Sequence, residues 1–244
     1  MVKIQKYQKF IVANWKLNGS INFTKEYLRN LNIYNSDFIS KCLVICPPAP
    51  FCEYISKNSK DIFMGAQDCS LYDEGAYTGE ISVKILKDVG CDFCILGHSE
   101  RRNIFNETNH NIFTKANNCI NNQIVPIICV GETLEQKNQN LTKEIISQQI
   151  INCVPKNAKK DSLIIAYEPI WAIGSGITPT IEEIDEIHTF IKSGIANYES
   201  FKLIYGGSVK SSNSKEIMDL QFVDGLLVGG ASLNIDEFKK IIMF

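Results

Sequence analysis

Eight short apolar runs, rich in β-branched residues, recur along the chain, each separated from the next by a segment with helical period. They cover 10–13, 42–46, 62–66, 93–96, 124–130, 163–167, 201–205 and 224–228. The stretch 163–166 is apolar without alternation, which is the pattern of a strand covered on both faces. Between the runs the period changes. In 181–198, Ile184, Ile187, Phe190, Ile191 and Ile195 make one apolar stripe. Thr180-x-x-Glu183, Asn213-x-x-Glu216 and Asn234-x-x-Glu237 each offer a cap oxygen and a reciprocal acid at a helix start. Eight strand–helix units without a linker predict one α/β domain over 1–244. A closed parallel eight-stranded (β/α)8 barrel is favoured over an open sheet, because closure removes both edges.

The length of 244 residues suits such a barrel as a single unit. Lys and Arg (25) against Asp and Glu (27) leave a formal charge of -2, so there is no basic field for nucleic acid and no basic tract for a membrane surface. Any anion site must be local. The nine cysteines are odd in number, and Cys42, Cys46, Cys94 and Cys129 lie within apolar runs. They read as buried thiols of a reducing compartment rather than a disulfide framework. Cys91-x-x-Cys94 falls in a strand pattern and reads as core packing, as does Cys129. Residues 1–9 contain no apolar core of signal-peptide length, and no apolar stretch approaches the ~18 residues that cross a bilayer. A soluble, cytoplasmic protein is expected.

In a barrel of this kind the chemistry sits in the loops after the strands. Glu168 ends the sixth run and leads into Pro169-Ile-Trp-Ala-Ile-Gly-Ser-Gly176. A carboxylate there projects from a rigid scaffold, where partial desolvation can make it a base. Pro169 stiffens one end of the segment, while Gly174 and Gly176 free the other, as in a hinged lid. Asn14-Trp15-Lys16 follows the first run and can hold a cation over the barrel mouth, although a lone surface lysine is usually solvated. Gly97-His98 follows the fourth run. A histidine opening a helix meets the positive end of the dipole, which disfavours its protonated form. His110 and His188 fall within helical patterns and read as ordinary surface or groove residues. Gly206-Gly207-Ser208 and Gly229-Gly230 follow the seventh and eighth runs, where converging backbone N–H groups can hold a phosphate. No histidine pair has zinc spacing, and neither a G-x-S-x-G elbow nor a nucleotide-binding glycine pattern is present.

Asn14-Trp-Lys16, Gly97-His-Ser-Glu-Arg-Arg102, Ala166-Tyr-Glu-Pro-Ile-Trp-Ala-Ile-Gly-Ser-Gly176, Tyr205-Gly-Gly-Ser-Val209 and Leu227-Val-Gly-Gly-Ala-Ser232 together resemble the triosephosphate isomerases. These are TIM-barrel enzymes of glycolysis and gluconeogenesis. The resemblance runs in order over essentially the whole chain. It implies interconversion of dihydroxyacetone phosphate and D-glyceraldehyde 3-phosphate through an enediolate, with neither cofactor nor metal. It further implies Glu168 as the base, His98 as a neutral electrophile, Lys16 as the group that balances developing charge, and Asn14 as the residue that orients them. Backbone N–H groups of Gly174, Ser208, Gly229 and Gly230 would grip the phosphate under a lid at 169–176, and Glu100 would be a supporting charge partner. The segment 65–80 resembles the family's long third loop, so a homodimer is expected through residues 68–80, with Thr78 touching the partner's Asn14. The chain departs from the family pattern at Asp68, Leu17, Ser175 and Gln136, which bear on the interface and the lid. Two other readings follow from the same barrel. A Schiff-base aldolase would need a lysine near the sixth strand, where Glu168 stands instead. A catalytically reduced phosphate-binding barrel, acting as a binding protein, would be expected to have lost some of Asn14, Lys16, His98 and Glu168.

Overall fold

The computed structural model describes residues 1–32, 41–59, 61–173, 177–195, 198 and 200–243. Eight strands close into one barrel in sequence order, every neighbouring pair parallel: β1 (Lys9–Asn14), β2 (Lys41–Cys46), β3 (Phe63–Ala66), β4 (Phe93–Leu96), β5 (Val125–Val130), β6 (Ile164–Tyr167), β7 (Lys202–Tyr205) and β8 (Gly225–Val228). At the closing seam Phe10 pairs with Gly225 and Ala13 with Val228. Helices α1 (Ile21–Asn32), α2 (Cys52–Asn58), α3 (Val83–Asp88), α4 (Ser99–Ile104) and α5 (Asn109–Asn121) fill the first connections. They are followed by α6 (Leu134–Asn138), α7 (Thr142–Cys153), α8 (Ile181–Gly194), α9 (Ser214–Met218) and α10 (Ile235–Ile242). The architecture expected from the eight runs is the one found. Ile62, Ile124, Leu163 and Phe201 are buried just ahead of their strands, so the apolar pattern starts one residue before the ladder does.

The lack of alternation has a simple cause. Residues of one strand alternate between two apolar layers, because successive side chains point to opposite faces. Phe10, Val12, Val44, Phe93, Ile95, Ile127, Ile164, Ile204 and Leu227 pack together inside the barrel. Ile11, Leu43, Ile45, Cys94, Leu96, Ile128, Ile165, Leu203 and Leu226 pack between strands and helices. Polar side chains are therefore excluded from both faces and are collected at the strand ends.

Caps fix the helix starts. Thr180 and Glu183 form a complete capping box, and Asn234 Oδ1 accepts from the N–H groups of Asp236 and Glu237. The Asn213-x-x-Glu216 pattern does not cap: Asn213 Oδ1 accepts instead from the Lys210 N–H at 2.8 Å, closing a turn ahead of α9. Glu237 turns away from its own helix start and accepts from the Ser211 N–H at 2.7 Å. No helix among the described residues is long and apolar enough to cross a membrane.

His188 corrects the sequence reading. It is fully buried on the apolar face of α8, in line with Ile184, Ile187 and Ile191. Nδ1 stands 3.0 Å from the Phe222 carbonyl, which can only accept, so the neutral ring carries its proton there. Burial pushes the imidazole down to about 4 from its ordinary 6.5. In the unfolded chain the ring takes up a proton between those two pH values that the native fold refuses. Stability contributed by neutral His188 is thus present above pH 6.5 and is lost as pH falls toward 4, by about 3 kcal/mol at most. His188→Gln keeps a donor but does not titrate. Urea unfolding at fixed protein concentration should show a smaller loss between pH 6.5 and pH 4 than in the parent chain. An equal loss in both would remove His188 from this account.

Candidate active site

Five strand ends open on one cavity of about 450 Å³, lined by Asn14, Lys16, His98, Glu168 and Ser208, with Gly229 and Gly230 on its far side. β6 delivers Glu168. Its backbone N–H donates to the Val130 carbonyl at 2.7 Å, continuing the ladder one residue past the strand. Glycines close on it from both sides: a Cβ at position 131 would lie 1.7 Å from the Glu168 carbonyl oxygen, and one at 206 would lie 2.8 Å from its Cγ. The carboxylate is 1 % exposed. Oε2 accepts from the Ser99 N–H at 3.2 Å, whereas Oε1 has no hydrogen-bond partner among the described residues. A buried carboxylate oxygen left unpaired is costly, which makes it ready to accept a hydrogen bond from whatever enters the cavity.

β4 delivers His98 through Gly97, whose φ of +65 gives the chain its turn. His98 caps α4: its Nδ1 accepts from the Glu100 N–H at 3.2 Å. A nitrogen that accepts carries no proton, so the neutral ring has its proton on Nε2, which lies 3.4 Å from Glu168 Oε1. Arg102 holds this turn against β5, donating to the carbonyls of Gly97 (2.8 Å) and Cys129 (3.0 Å) and to Asn109 Oδ1 (2.7 Å).

β1 delivers Lys16 in an uncommon backbone state, with φ of 52. Asn14 Oδ1 accepts from the Lys16 N–H (3.0 Å), and the Gln67 amide donates to the Lys16 carbonyl (2.8 Å), so two side chains hold the turn. Lys16 Nζ pairs with Glu100 Oε1 at 2.5 Å. Both are partly exposed, so the pair orients the ammonium more than it stabilises the fold. On the far side, a Cβ at Gly229 would meet Lys16 Cε at 3.5 Å, and one at Gly230 would meet nothing within 4 Å. The Gly229 carbonyl is fixed by the Ser232 hydroxyl at 2.7 Å. The Ser208 hydroxyl donates to the Ala172 carbonyl at 2.7 Å, tying the β7 loop to the segment that follows Glu168.

The cavity therefore unites Asn14, Lys16, His98, Glu168, Ser208, Gly229 and Gly230. Gly174, Ser175 and Gly176 lie outside the described residues. Thr78 is not among the residues lining the cavity; it is exposed on the 68–80 loop. The sequence alone assigns no role to Glu132, Trp171 or Arg102, and Cys129 is packed as expected. Glu132 stands at the end of β5, so the strand-end rule that found Glu168 would also have found it. It is buried, which raises its carboxyl, and it accepts from Trp171 Nε1 (2.7 Å) and Tyr167 OH (3.3 Å). It thereby clamps the start of the segment after Pro169. Cys129 lies within β5, and burial together with the Glu168 carboxylate beside it pushes the thiol well up. It is a packed, neutral thiol. Gln136 completes a capping box with Thr133 at the start of α6.

A family model described as triosephosphate isomerase matches residues 9–244. The triosephosphate isomerase of Francisella philomiragia is 39% identical over 244 residues, covering 96% of each chain. That of Chloroherpeton thalassium is 40% identical over 250 residues, covering 96% of this chain and 98% of its own. The crystal structure of triosephosphate isomerase from Bartonella henselae superposes with a TM-score of 0.85 at 34% identity, covering 96% of this chain and 97% of that one.

Gly97→Ala tests the turn that sets His98. The added Cβ would lie 2.5 Å from Ile112 Cδ1 at a positive φ. We expect a loss of about 2–4 kcal/mol of unfolding free energy, read by denaturant unfolding. Unchanged stability would show that the turn relaxes freely.

Proposed function

The chain belongs to the triosephosphate isomerase family, and we propose that it interconverts dihydroxyacetone phosphate and D-glyceraldehyde 3-phosphate with Glu168 as the base. The observation that carries this reading is the unpaired, buried Oε1 of Glu168 facing His98 Nε2 at 3.4 Å. In this reaction a proton moves between adjacent carbons while a second moves between their oxygens. Glu168 takes the carbon-bound proton and returns it to the neighbouring carbon. His98, with its proton on Nε2, donates to the carbonyl oxygen and balances the enediolate as a neutral acid. Lys16 brings positive charge to the same oxygens, and Asn14 fixes the Lys16 turn. The open backbone around Gly229 and Gly230, with Ser208, receives the phosphate; Gly174 and the lid at 169–176 complete the enclosure. Enclosure matters because an enediolate next to a phosphate ester eliminates phosphate when it is free to rotate in water. Glu100 keeps Lys16 in place.

The assembly we propose is a homodimer. Leu17 is 95% exposed, and Tyr72 and Tyr77 are stacked on the outer loop at 46% and 42% exposure. A groove of about 470 Å³ runs between Leu17, Gln67, Arg101 and Phe105. A protruding loop beside a groove on the same surface suits an isologous pair in which each loop, with Thr78, enters the partner's groove. All nine cysteines are free thiols, which supports a reducing compartment such as the cytoplasm.

A coupled assay of triose-phosphate interconversion tests the chemistry. Glu168→Asp withdraws the carboxylate by one methylene and should lower turnover roughly 100-fold or more with little change in stability. An unaffected rate would take the base role from Glu168. Leu17→Glu should turn a dimer into a folded monomer in sedimentation velocity; a parent chain that already sediments as a monomer would refute the interface.

A further inference from the structure

All nine cysteines are buried, and three of them meet away from the cavity described above. Cys69 follows β3, Cys94 points outward from β4, and Cys119 lies in the last turn of α5. Their sulfurs all lie within 4.8 Å of one another, with Cys69 and Cys119 at 3.9 Å. We propose that Cys69, Cys94 and Cys119 form a three-sulfur site for a soft monovalent cation, Cu(I).

Spacing is the first argument. In a planar three-coordinate centre with metal–sulfur bonds of about 2.3 Å, the sulfurs stand about 4.0 Å apart. The observed separation of 3.9 Å already matches, and the remaining pairs need only small side-chain adjustments. Ligand chemistry is the second. Thiolates select soft ions, Cu(I) and Zn(II) among them. Zn(II) takes four ligands in structural sites, and no fourth His, Cys, Asp or Glu joins this group among the described residues.

Each sulfur–copper bond that displaces a thiol proton sends that proton to water, and copper stays monovalent throughout. Cys69 borders the groove beside Arg101, which is open in the single chain before a partner's loop seats in it. The three ligands come from three separate elements, so the fold itself preforms the site and no sequence spacing announces it.

The test is an anaerobic titration of the full chain with Cu(I) against a chromogenic chelator, followed by X-ray absorption. The expected result is a single tightly held equivalent per chain with three sulfurs at about 2.3 Å. Cys69→Ser and Cys119→Ser, each checked for native circular dichroism, should lose that equivalent, whereas Cys153→Ser should keep it. Retention of a three-sulfur centre in either cluster variant overturns the proposal. So does a preference for Zn(II), recovery of a Cys69–Cys119 disulfide in place of uptake, or failure of the parent chain to compete with the chelator.

Discussion

The site depends on a backbone hydrogen bond, that from Glu168 N–H to the Val130 carbonyl at 2.7 Å. It extends the β5–β6 pairing past the last strand residue, so the base position inherits the rigidity of the barrel rather than the freedom of a loop. The same device operates at Gly206, whose N–H donates to Tyr167 at 2.8 Å, and at Trp15, whose N–H donates to Cys46 at 3.1 Å. Three strand ends are thereby spaced by the ladder itself. A ladder holds neighbouring strands about 4.7–4.9 Å apart, so side chains leaving different strands converge on a molecule of a few carbons. Precision at the rim is a consequence of closure.

Closure also sorts residues by polarity. Both faces of every strand are covered by apolar layers, so polar groups in the strand region accumulate at the ends. That is why Asn14, Lys16, His98 and Glu168 stand out in the sequence: each is a polar residue within three positions of the end of an apolar run. His98 gained further support from its place at the head of α4. The readings that failed did so where this logic was applied too narrowly. His188 reads from sequence as an ordinary surface or groove residue, yet it follows Ile184 by four positions on the stripe that faces the strands, and there periodicity outweighs polarity. The spacing of Asn213 predicts a helix cap, but its carboxamide closes a local turn instead.

What the sequence could not disclose is convergence of side chains from distant positions. Arg102 bridges β4, α5 and β5 with three hydrogen bonds, and nothing in the run Arg101-Arg102 says which guanidinium turns inward. Its neighbour Arg101 takes part in a different network. Asp68 pairs with Lys115 and with Arg101, each at 2.8 Å, and Lys115 also pairs with Glu107. Burial pushes Asp68 up to about 6 even with two cations beside it. For Lys115, burial alone would lower the ammonium, but Asp68 and Glu107 together raise it. Buried pairs of this kind add little net stability after desolvation, but removing one member leaves a charge uncompensated. Their value is positional: they fix the root of the 68–80 loop to α4 and α5.

The root of that loop is where the two unusual features of the chain come together. Asp68 anchors it by charge, and Cys69, the next residue, enters the sulfur cluster with Cys94 and Cys119. Cys94 lies on β4 only a few residues before Gly97 and His98, and Asp68 is tied to Arg101 on the helix that His98 caps. Any shift of the root would therefore reach the His98 turn by two short routes, one across the Cys69–Cys94 contact to β4 and one across the Asp68–Arg101 pair to α4. Interfaces packed this densely do not deform gradually. The root of the outward loop and the turn that carries the imidazole are thus linked twice, by the Asp68–Arg101 pair and by the packing of Cys69 on Cys94.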